Sequence, residues 1–254
     1  MKYNIGISID SDYLPPLENY KINTIQLMFV KNPDLNKIKN YLKKYNIKNT
    51  FIHASFRINI AENFIMNNRG FFSNSYDLLK KDIEKMKKIN ANNIVIHTGV
   101  NTQNRHLKNQ MIDNMKNVIK KILELDINVI LETSCEKYEL LTDLNEFVEF
   151  VMSFKNDNLY VCIDTCHIFQ AGYDIRDKKI RKDVYKIFEP IKNKIKVIHL
   201  NDSYYEFNER KDRHALIGEG HIGKENLLNF INHYKKLPII LETNFDKNTF
   251  KIFQ

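Results

Sequence analysis

Short runs of Ile, Val and Leu recur along the chain, separated by longer amphipathic stretches. The runs are YNIGISI (3–9), TIQLMFV (24–30), NTFIH (49–53), NNIVIH (92–97), INVILE (127–132), LYVCID (159–164), IKVIHL (195–200) and PIILE (238–242). Near-continuous apolar runs of this length belong to strands covered on both faces, as in parallel sheets. Between them, PDLNKIKNYLKKY (33–45), SYDLLKKDIEKMKKI (75–89), NQMIDNMKNVIKKILEL (109–125) and ENLLNFINHYKKL (225–237) place apolar residues three and four apart, as a helix lying on a sheet requires. Pro33 falls where a first helical turn tolerates a missing N–H. Eight strands alternating with helices predict an α/β fold, a parallel sheet closed into a (β/α)8 TIM barrel, and 254 residues is a usual size for one. A doubly wound open sheet is the alternative, but no Gly-rich strand-to-helix turn supports it. No repeat, low-complexity tract or linker divides the chain, so residues 1–254 are expected to form a single domain.

The ends of these runs carry the chemistry. Strands three to eight finish in His53, His97, Glu132, Asp164, His199 and Glu242. Barrel active sites form at the C-terminal ends of strands, so six such side chains should converge on one pocket. One histidine at a strand end is usually a hydrogen-bonded structural residue, and one glutamate there often caps the next helix. Six in succession are different, because three carboxylates crowded at one mouth repel unless cations compensate them. Histidine and carboxylate donors without cysteine suit Zn²⁺, Mn²⁺ or Fe²⁺ better than Mg²⁺ or Ca²⁺. Further donors follow in the loops. His167 stands three residues after Asp164, and Asp212 and His214 stand two apart, which on extended backbone points both the same way. These three would make a three-ligand site with open positions. His106, His221 and His233 are expected at the surface.

Composition narrows the class. Hydrophobic residues make up 43% and charged residues 28%, as in a soluble globular protein, and no run approaches the roughly eighteen apolar residues of a membrane span. The start, MKYNIGISID, enters a strand pattern directly, so no signal peptide is expected. Three cysteines, Cys135, Cys162 and Cys166, are too few and too oddly numbered for a disulfide framework. They are expected to be packing residues in a reducing, cytoplasmic compartment. The net charge of +8 and pI near 9.1 favour polyanionic partners such as nucleic acid. Basic residues cluster at Lys178, Lys179, Arg181 and Lys182, and at Arg210, Lys211 and Arg213; each serves equally well as a phosphate contact or a solvated surface charge.

The segments FIHASFRIN, VIHTG, ILETS, CIDTCHIFQAGYD, VIHLNDS, DRHALIGEGHIG and IILET together resemble the endonuclease IV family of apurinic/apyrimidinic endonucleases, from about residue 50 to 245. The resemblance implies three zinc ions per chain, with Mn²⁺ able to replace one. His53 and His97 would ligate the first zinc, Glu132 would bridge it to a second, and Asp164, His199 and Glu242 would complete the second. His167, Asp212 and His214 would hold the third. Glu132 and Glu242 are the catalytic carboxylates so implied. The family hydrolyses the phosphodiester 5′ to an abasic site in duplex DNA, leaves a 3′-hydroxyl and a 5′-deoxyribose phosphate, and trims blocked 3′ ends. A monomer acting on abasic duplex DNA, without a membrane, is the expectation. The chain departs from the family outside the ligands: the first strand has GISIDSDYLPP in place of a His followed by Gly-Gly, KNPDLN turns acidic at Asp34, Phe56 followed by Arg57 replaces the usual Tyr, and Thr98 replaces the usual Pro. Phe56, Arg57 and Arg213 are the expected DNA contacts, with packing of the loop by Phe56 as the alternative.

Two other classes compete. A sugar isomerase or epimerase on a similar barrel would use Glu132, Asp164, His199 and Glu242 for one divalent metal, and would have no use for the remaining donors. A non-catalytic DNA-binding barrel would need none of the nine. Metal content separates the three: about three zincs, one divalent ion, or none.

Overall fold

The eight apolar runs form eight parallel strands, and they close. A computed structural model of the chain describes residues 3–62, 74–101, 108–243 and 252–253. The strands are β1 (Asn4–Asp10), β2 (Thr24–Met28), β3 (Asn49–His53), β4 (Asn93–Ile96), β5 (Asn128–Glu132), β6 (Leu159–Asp164) and β7 (Ile195–His199), followed after a two-residue ribbon by β10 (Pro238–Leu241). Their order around the barrel is β1-β10-β7-β6-β5-β4-β3-β2, which excludes the open doubly wound sheet. The ribbon pairs β8 (Asp202–Ser203) with β9 (His214–Ala215), antiparallel, above the barrel.

The helices lie outside. Helices α1 (Leu35–Lys44), α2 (Asn74–Lys88), α3 (Lys108–Leu123) and α7 (Lys224–Ile231) fall where the apolar spacing predicts them, except that α7 stops at Ile231 and residues 232–236 are turns. Three more, α4 (Leu144–Met152), α5 (Thr165–Gln170) and α6 (Lys178–Phe188), fill the remaining crossovers, while residues 11–23 join β1 to β2 without a helix. Pro33 lies two residues before the first helical residue, outside α1 rather than in its first turn. Asp34 is the N-cap of α1, and its carboxylate accepts the Lys37 N–H at 2.9 Å. The acidic residue that departs from the family pattern thus satisfies an orphan donor of the helix. Among the described residues no helix is long and apolar enough to cross a membrane.

Two apolar layers hold the barrel. The larger lies between strands and helices. The smaller fills the interior: Phe51, Val95, Ile130, Cys162, Val197 and Ile240, all buried and all packed on one another. Each belongs to a different strand, and each precedes by two the donor residue at the end of that strand. Side chains two apart on a strand point the same way. The interior plug and the candidate ligands are therefore successive layers of one inward-facing stack.

A buried carboxylate organises the loop over β7. Asp202 is fully buried. Its oxygens accept backbone N–H groups of Ser203, Gly218, Ile222 and Gly223 at 2.8–3.3 Å, and of Gly220 at 3.2 Å. Five donors, none of them a cation, offset the cost of burying the charge. The close approach requires glycine: a Cβ on Gly220 would stand 2.4 Å from Ser203 O and 2.6 Å from Asp202 Oδ1, and Gly218 has φ +91°. Gln170 of α5 completes the anchor, its amide donating to Ser203 Oγ at 2.8 Å and Glu206 O at 2.7 Å.

Asp202→Ala is expected to destabilise the fold by about 3 kcal/mol or more, since several buried N–H groups lose their acceptor. Hydrogen exchange should locate the loss in the amides of 216–223. Unchanged protection there would show that the carboxylate does not hold the loop.

Candidate metal centre

All nine predicted donor residues come together at the C-terminal mouth of the barrel. Three groups of ligand atoms form there, the atoms within each lying within 4.8 Å of one another: His53, His97 and Glu132; Glu132, Asp164, His199 and Glu242; and His167, Asp212 and His214. Glu132 belongs to the first two. Its Oε2 lies 3.4 Å from Nε2 of both His53 and His97, while its Oε1 lies 2.8 Å from His199 Nδ1. Glu242 Oε2 is 3.1 Å from that same His199 nitrogen. In the third group, Asp212 offers one oxygen to each imidazole, at 3.1 Å from His167 Nε2 and 3.1 Å from His214 Nε2. The floor of the site is sealed, with His53, Glu132, Asp164, His167 and His199 at most 2% exposed. The side chains of His97, His214 and Asp212 stand at the rim, 20%, 20% and 28% exposed.

Other groups fix the direction of each donor. Nδ1 of His53 is 2.8 Å from Ala54 O, and Nδ1 of His167 is 2.7 Å from Thr133 O, which turns both Nε2 atoms into the site. His199 is held the other way round, its Nε2 being 2.9 Å from Gln26 Oε1. The Gln26 amide donates to Glu242 Oε1 at 2.6 Å. Asn201 donates to Asp164 Oδ2 at 2.6 Å and to Glu242 Oε2 at 2.9 Å. Asp164 is also the N-cap of α5, its Oδ1 accepting the His167 N–H at 2.9 Å. Glu139, held by the N–H groups of Cys135 and Glu136, stands 3.8 Å from His97 Nδ1.

The electrostatics reflect this crowding. Burial raises Glu132, but His199 and His97 outweigh it and hold the carboxyl well below its usual range. Glu242 is likewise brought down to about 2, burial being overcome chiefly by His199. Asp164 is the exception: burial dominates and pushes it up. Burial disfavours the charged forms of His167 and His214, yet Asp164 and Asp212 reverse the balance; His167 rises well above the ordinary value and His214 to about 9.

These residues fit divalent metal ions. Glu132 Oε2, His167 Nε2 and His214 Nε2 are buried without a hydrogen-bond partner, although each lies within 3.4 Å of an atom of its own group. Atoms turned toward a shared point without aligning as donor and acceptor are what ligands present. Two ligands on a tetrahedral zinc, with bonds of about 2.0–2.1 Å, are separated by about 3.4 Å, the spacing of His53 and His97 from Glu132. Cys162 and Cys166 also approach donor groups, beside Glu132 and His199 and beside Asp164 and His214. Burial pushes both thiols up to about 12, so neither offers a thiolate at neutral pH; Cys162 serves the interior plug.

The expected DNA contacts lie on the same face. Phe56 is 68% exposed, with its ring 5.1 Å from that of His53 and 5.7 Å from that of His97. It covers two donors and is not buried in loop packing. Arg57 is exposed beside a cavity of about 840 Å³ that also touches Lys31, Lys81, Lys85 and Lys88. Arg213 lies over the ring of Tyr204 at 5.3 Å. His221 and His233 are exposed, His233 stacking on Tyr185 at 4.0 Å, and His106 lies outside the described residues. Gln26, Asn201 and Glu139 have no place in the sequence expectation. Gln26 does leave a signal, as an amide in the middle of an apolar run, TIQLM.

Comparison with known proteins follows the same lines. Residues 13–252 match the family described as the xylose isomerase-like TIM barrel. The "Probable endonuclease 4" of Mesomycoplasma hyopneumoniae (strain J) is 34% identical over 241 residues, covering 91% of this chain and 78% of that protein. That of Halothermothrix orenii is 33% identical, covering 87% and 84%. Among solved structures, endonuclease IV from Thermus thermophilus superposes with a TM-score of 0.75 at 19% identity, over 97% of this chain and 94% of that one. A D-tagatose 3-epimerase-like protein superposes equally well, with a TM-score of 0.75 at 19% identity over 98% and 94%. At that identity these two share the fold alone.

Two measurements follow from the geometry. Gln26→Leu removes the groups that hold His199 and Glu242; it should weaken metal binding at least tenfold and alter the visible spectrum of the cobalt-substituted protein. An unaltered spectrum would mean that Gln26 does not set the donor geometry. The second concerns protons. Protein stripped of metal carries His214 protonated at neutral pH. Because its folded pKa is raised, its contribution to stability is complete below about pH 6.5 and is lost as pH rises through about 9. Zinc uptake near pH 7 should therefore release protons, measurable by calorimetry in buffers of different ionisation enthalpy, and release fewer above pH 9. Release that does not fall with pH would exclude His214 as a source.

Proposed function

Because the chain belongs to the endonuclease IV family of xylose isomerase-like TIM barrels, we propose that it is a metal-dependent phosphodiester hydrolase that incises duplex DNA on the 5′ side of abasic sites. The products are a 3′-hydroxyl and a 5′-deoxyribose phosphate, and the same centre trims blocked 3′ ends. The observation that carries this reading is the presence of three donor groups, two of them joined by Glu132. In this reading His53, His97 and Glu132 hold one zinc, Glu132, Asp164, His199 and Glu242 a second, and His167, Asp212 and His214 a third, with Mn²⁺ acceptable at one. Zinc bound there supplies an acidified water and a positive field for the phosphoryl oxygens.

The protein's own groups do the rest. Glu242 is held ionised, with its two oxygens fixed by the Gln26 and Asn201 amides, so it is set to orient a water rather than to take up its proton. Glu132 keeps the first two groups at one separation. At the rim, His214 and Asp212 would hold a cation that offsets the charge developing on the leaving 3′ oxygen. The scissile phosphate of a stacked duplex does not reach a centre sunk in a barrel mouth, so the abasic nucleotide rotates out, at least cost where no base is stacked. Phe56 and Arg57 then occupy the gap and its phosphates.

One observation favours a second reading. The group of Glu132, Asp164, His199 and Glu242 alone would serve a one-metal sugar isomerase or epimerase, and an epimerase-like protein shares the fold to the same degree. Such an enzyme leaves His53, His97, His167, Asp212 and His214 without a task. A duplex carrying a single abasic analogue decides: incision 5′ to the lesion, abolished by a chelator and restored by zinc, with about three metals per chain by elemental analysis, is expected. One metal per chain and an intact duplex would favour the isomerase.

A further inference from the structure

Among the described residues, the exposed aromatics are not scattered. Four described aromatics are prominently exposed, Tyr13 at 63%, Phe56 at 68%, Tyr138 at 47% and Tyr204 at 58%, and a fifth, Phe207 at 37%, packs in part on Phe169. Every one of them lies in a loop at the C-terminal face, where the candidate metal centre opens. Tyr13 follows β1, Phe56 follows β3, Tyr138 follows β5, and Tyr204 and Phe207 follow β7. In the barrel order these are alternate strands, so the aromatics are distributed around the whole mouth. The other exposed large apolar residues, Met152 and Ile180, sit in helices and show no such grouping.

Leaving a large ring in water forgoes the stabilisation that its burial would give. Doing so repeatedly on one face, and not elsewhere among the described residues, marks a surface that is covered in use. The charge beside the rings says by what. Lys137 lies 5.5 Å from the Tyr138 ring, Arg213 lies 5.3 Å from that of Tyr204, and Arg57 adjoins Phe56. Ring and cation together match base and phosphate, the two repeating parts of a nucleic acid strand. Tyr13 is the exception, flanked in the chain by Asp12 and Leu14 rather than by a cation.

A base inside a duplex offers no free face, because its neighbours already cover both. A lesion gap exposes only the faces that flank it, which one wedge such as Phe56 satisfies. Rings spaced around the entire mouth exceed that need. We propose that the rim is a stacking platform for unpaired bases, and that the substrate class of this centre includes abasic sites in single-stranded and locally melted DNA. This rests on the endonuclease reading for the chemistry, but not for the binding.

The binding can be measured without a lesion. Fluorescence anisotropy of the metal-loaded protein with an undamaged oligothymidylate strand, and with an undamaged duplex of the same length at the same salt, compares the two surfaces directly. The strand is expected to bind several-fold more tightly than the duplex. Tyr138→Ala and Tyr204→Ala should each weaken strand binding about tenfold, the effect of one stacked base, and duplex binding much less. Tyr13→Ala should have the smallest effect. Circular dichroism and metal content verify that each variant is folded and loaded. Tighter duplex binding, or strand binding unchanged in the Tyr138→Ala/Tyr204→Ala double variant, overturns the proposal. Cleavage of an abasic strand alone and in duplex separates the two readings. Duplex incision without strand binding refutes the platform and leaves the endonuclease; strand binding without incision of either DNA does the reverse.

Discussion

The alternation of side chains along a strand is the constraint on which this molecule depends. Phe51, Val95, Ile130, Cys162, Val197 and Ile240 face inward and fill the barrel, so the residues two positions later must face inward as well. Those residues are His53, His97, Glu132, Asp164, His199 and Glu242. Packing energy, spent on the plug, aims the donors above it. A slip of one residue in any of these strands would expose the plug residue and turn the donor toward the helices, so the register that stabilises the core also preserves the chemistry.

Such a layer of donors is electrostatically unstable by itself. Glu132, Glu242 and Asp212 are held ionised by the imidazoles beside them, while Asp164, fully buried, is pushed toward its neutral form. Neutral amides mediate between these groups. Gln26 and Asn201 each reach Glu242, one also contacting His199 and the other Asp164, and neither adds charge. The arrangement keeps nitrogen and oxygen atoms turned inward where hydrogen bonds alone leave Glu132 Oε2, His167 Nε2 and His214 Nε2 unmatched.

How much of this is legible in the sequence depends on range. The eight strands and the nine donors can be read because each is a local pattern: a short apolar run, then a His, Asp or Glu where it stops. Gln26 cannot be assigned a role from sequence, since its partners His199 and Glu242 are 173 and 216 residues away. Helices α4, α5 and α6 lie outside the sequence expectation for different reasons. Phe147, Val148, Phe150 and Val151 bury more than one stripe of α4, and all six residues of α5 are buried, so neither shows a clean amphipathic period. Helix α6 does carry the period, with Ile180, Val184 and Phe188 four apart, but its run of Lys and Arg reads first as a basic surface patch. The sequence pattern sets Pro33 two positions too far into α1, which begins at Leu35, because Asp34, visible only as a departure from the family, is the cap.

Asp202 recognises the loop after β9 only through backbone N–H groups. Side chains between those contacts take no part, so a lineage can exchange Glu219 or His221 without disturbing the anchor. The glycines cannot drift in this way: Gly220 has no room for a Cβ, and Gly218 holds a left-handed backbone. Evolution of this segment is therefore confined to the outward positions, and the surface that meets a partner can diversify while the frame carrying Asp212 and His214 stays as it is.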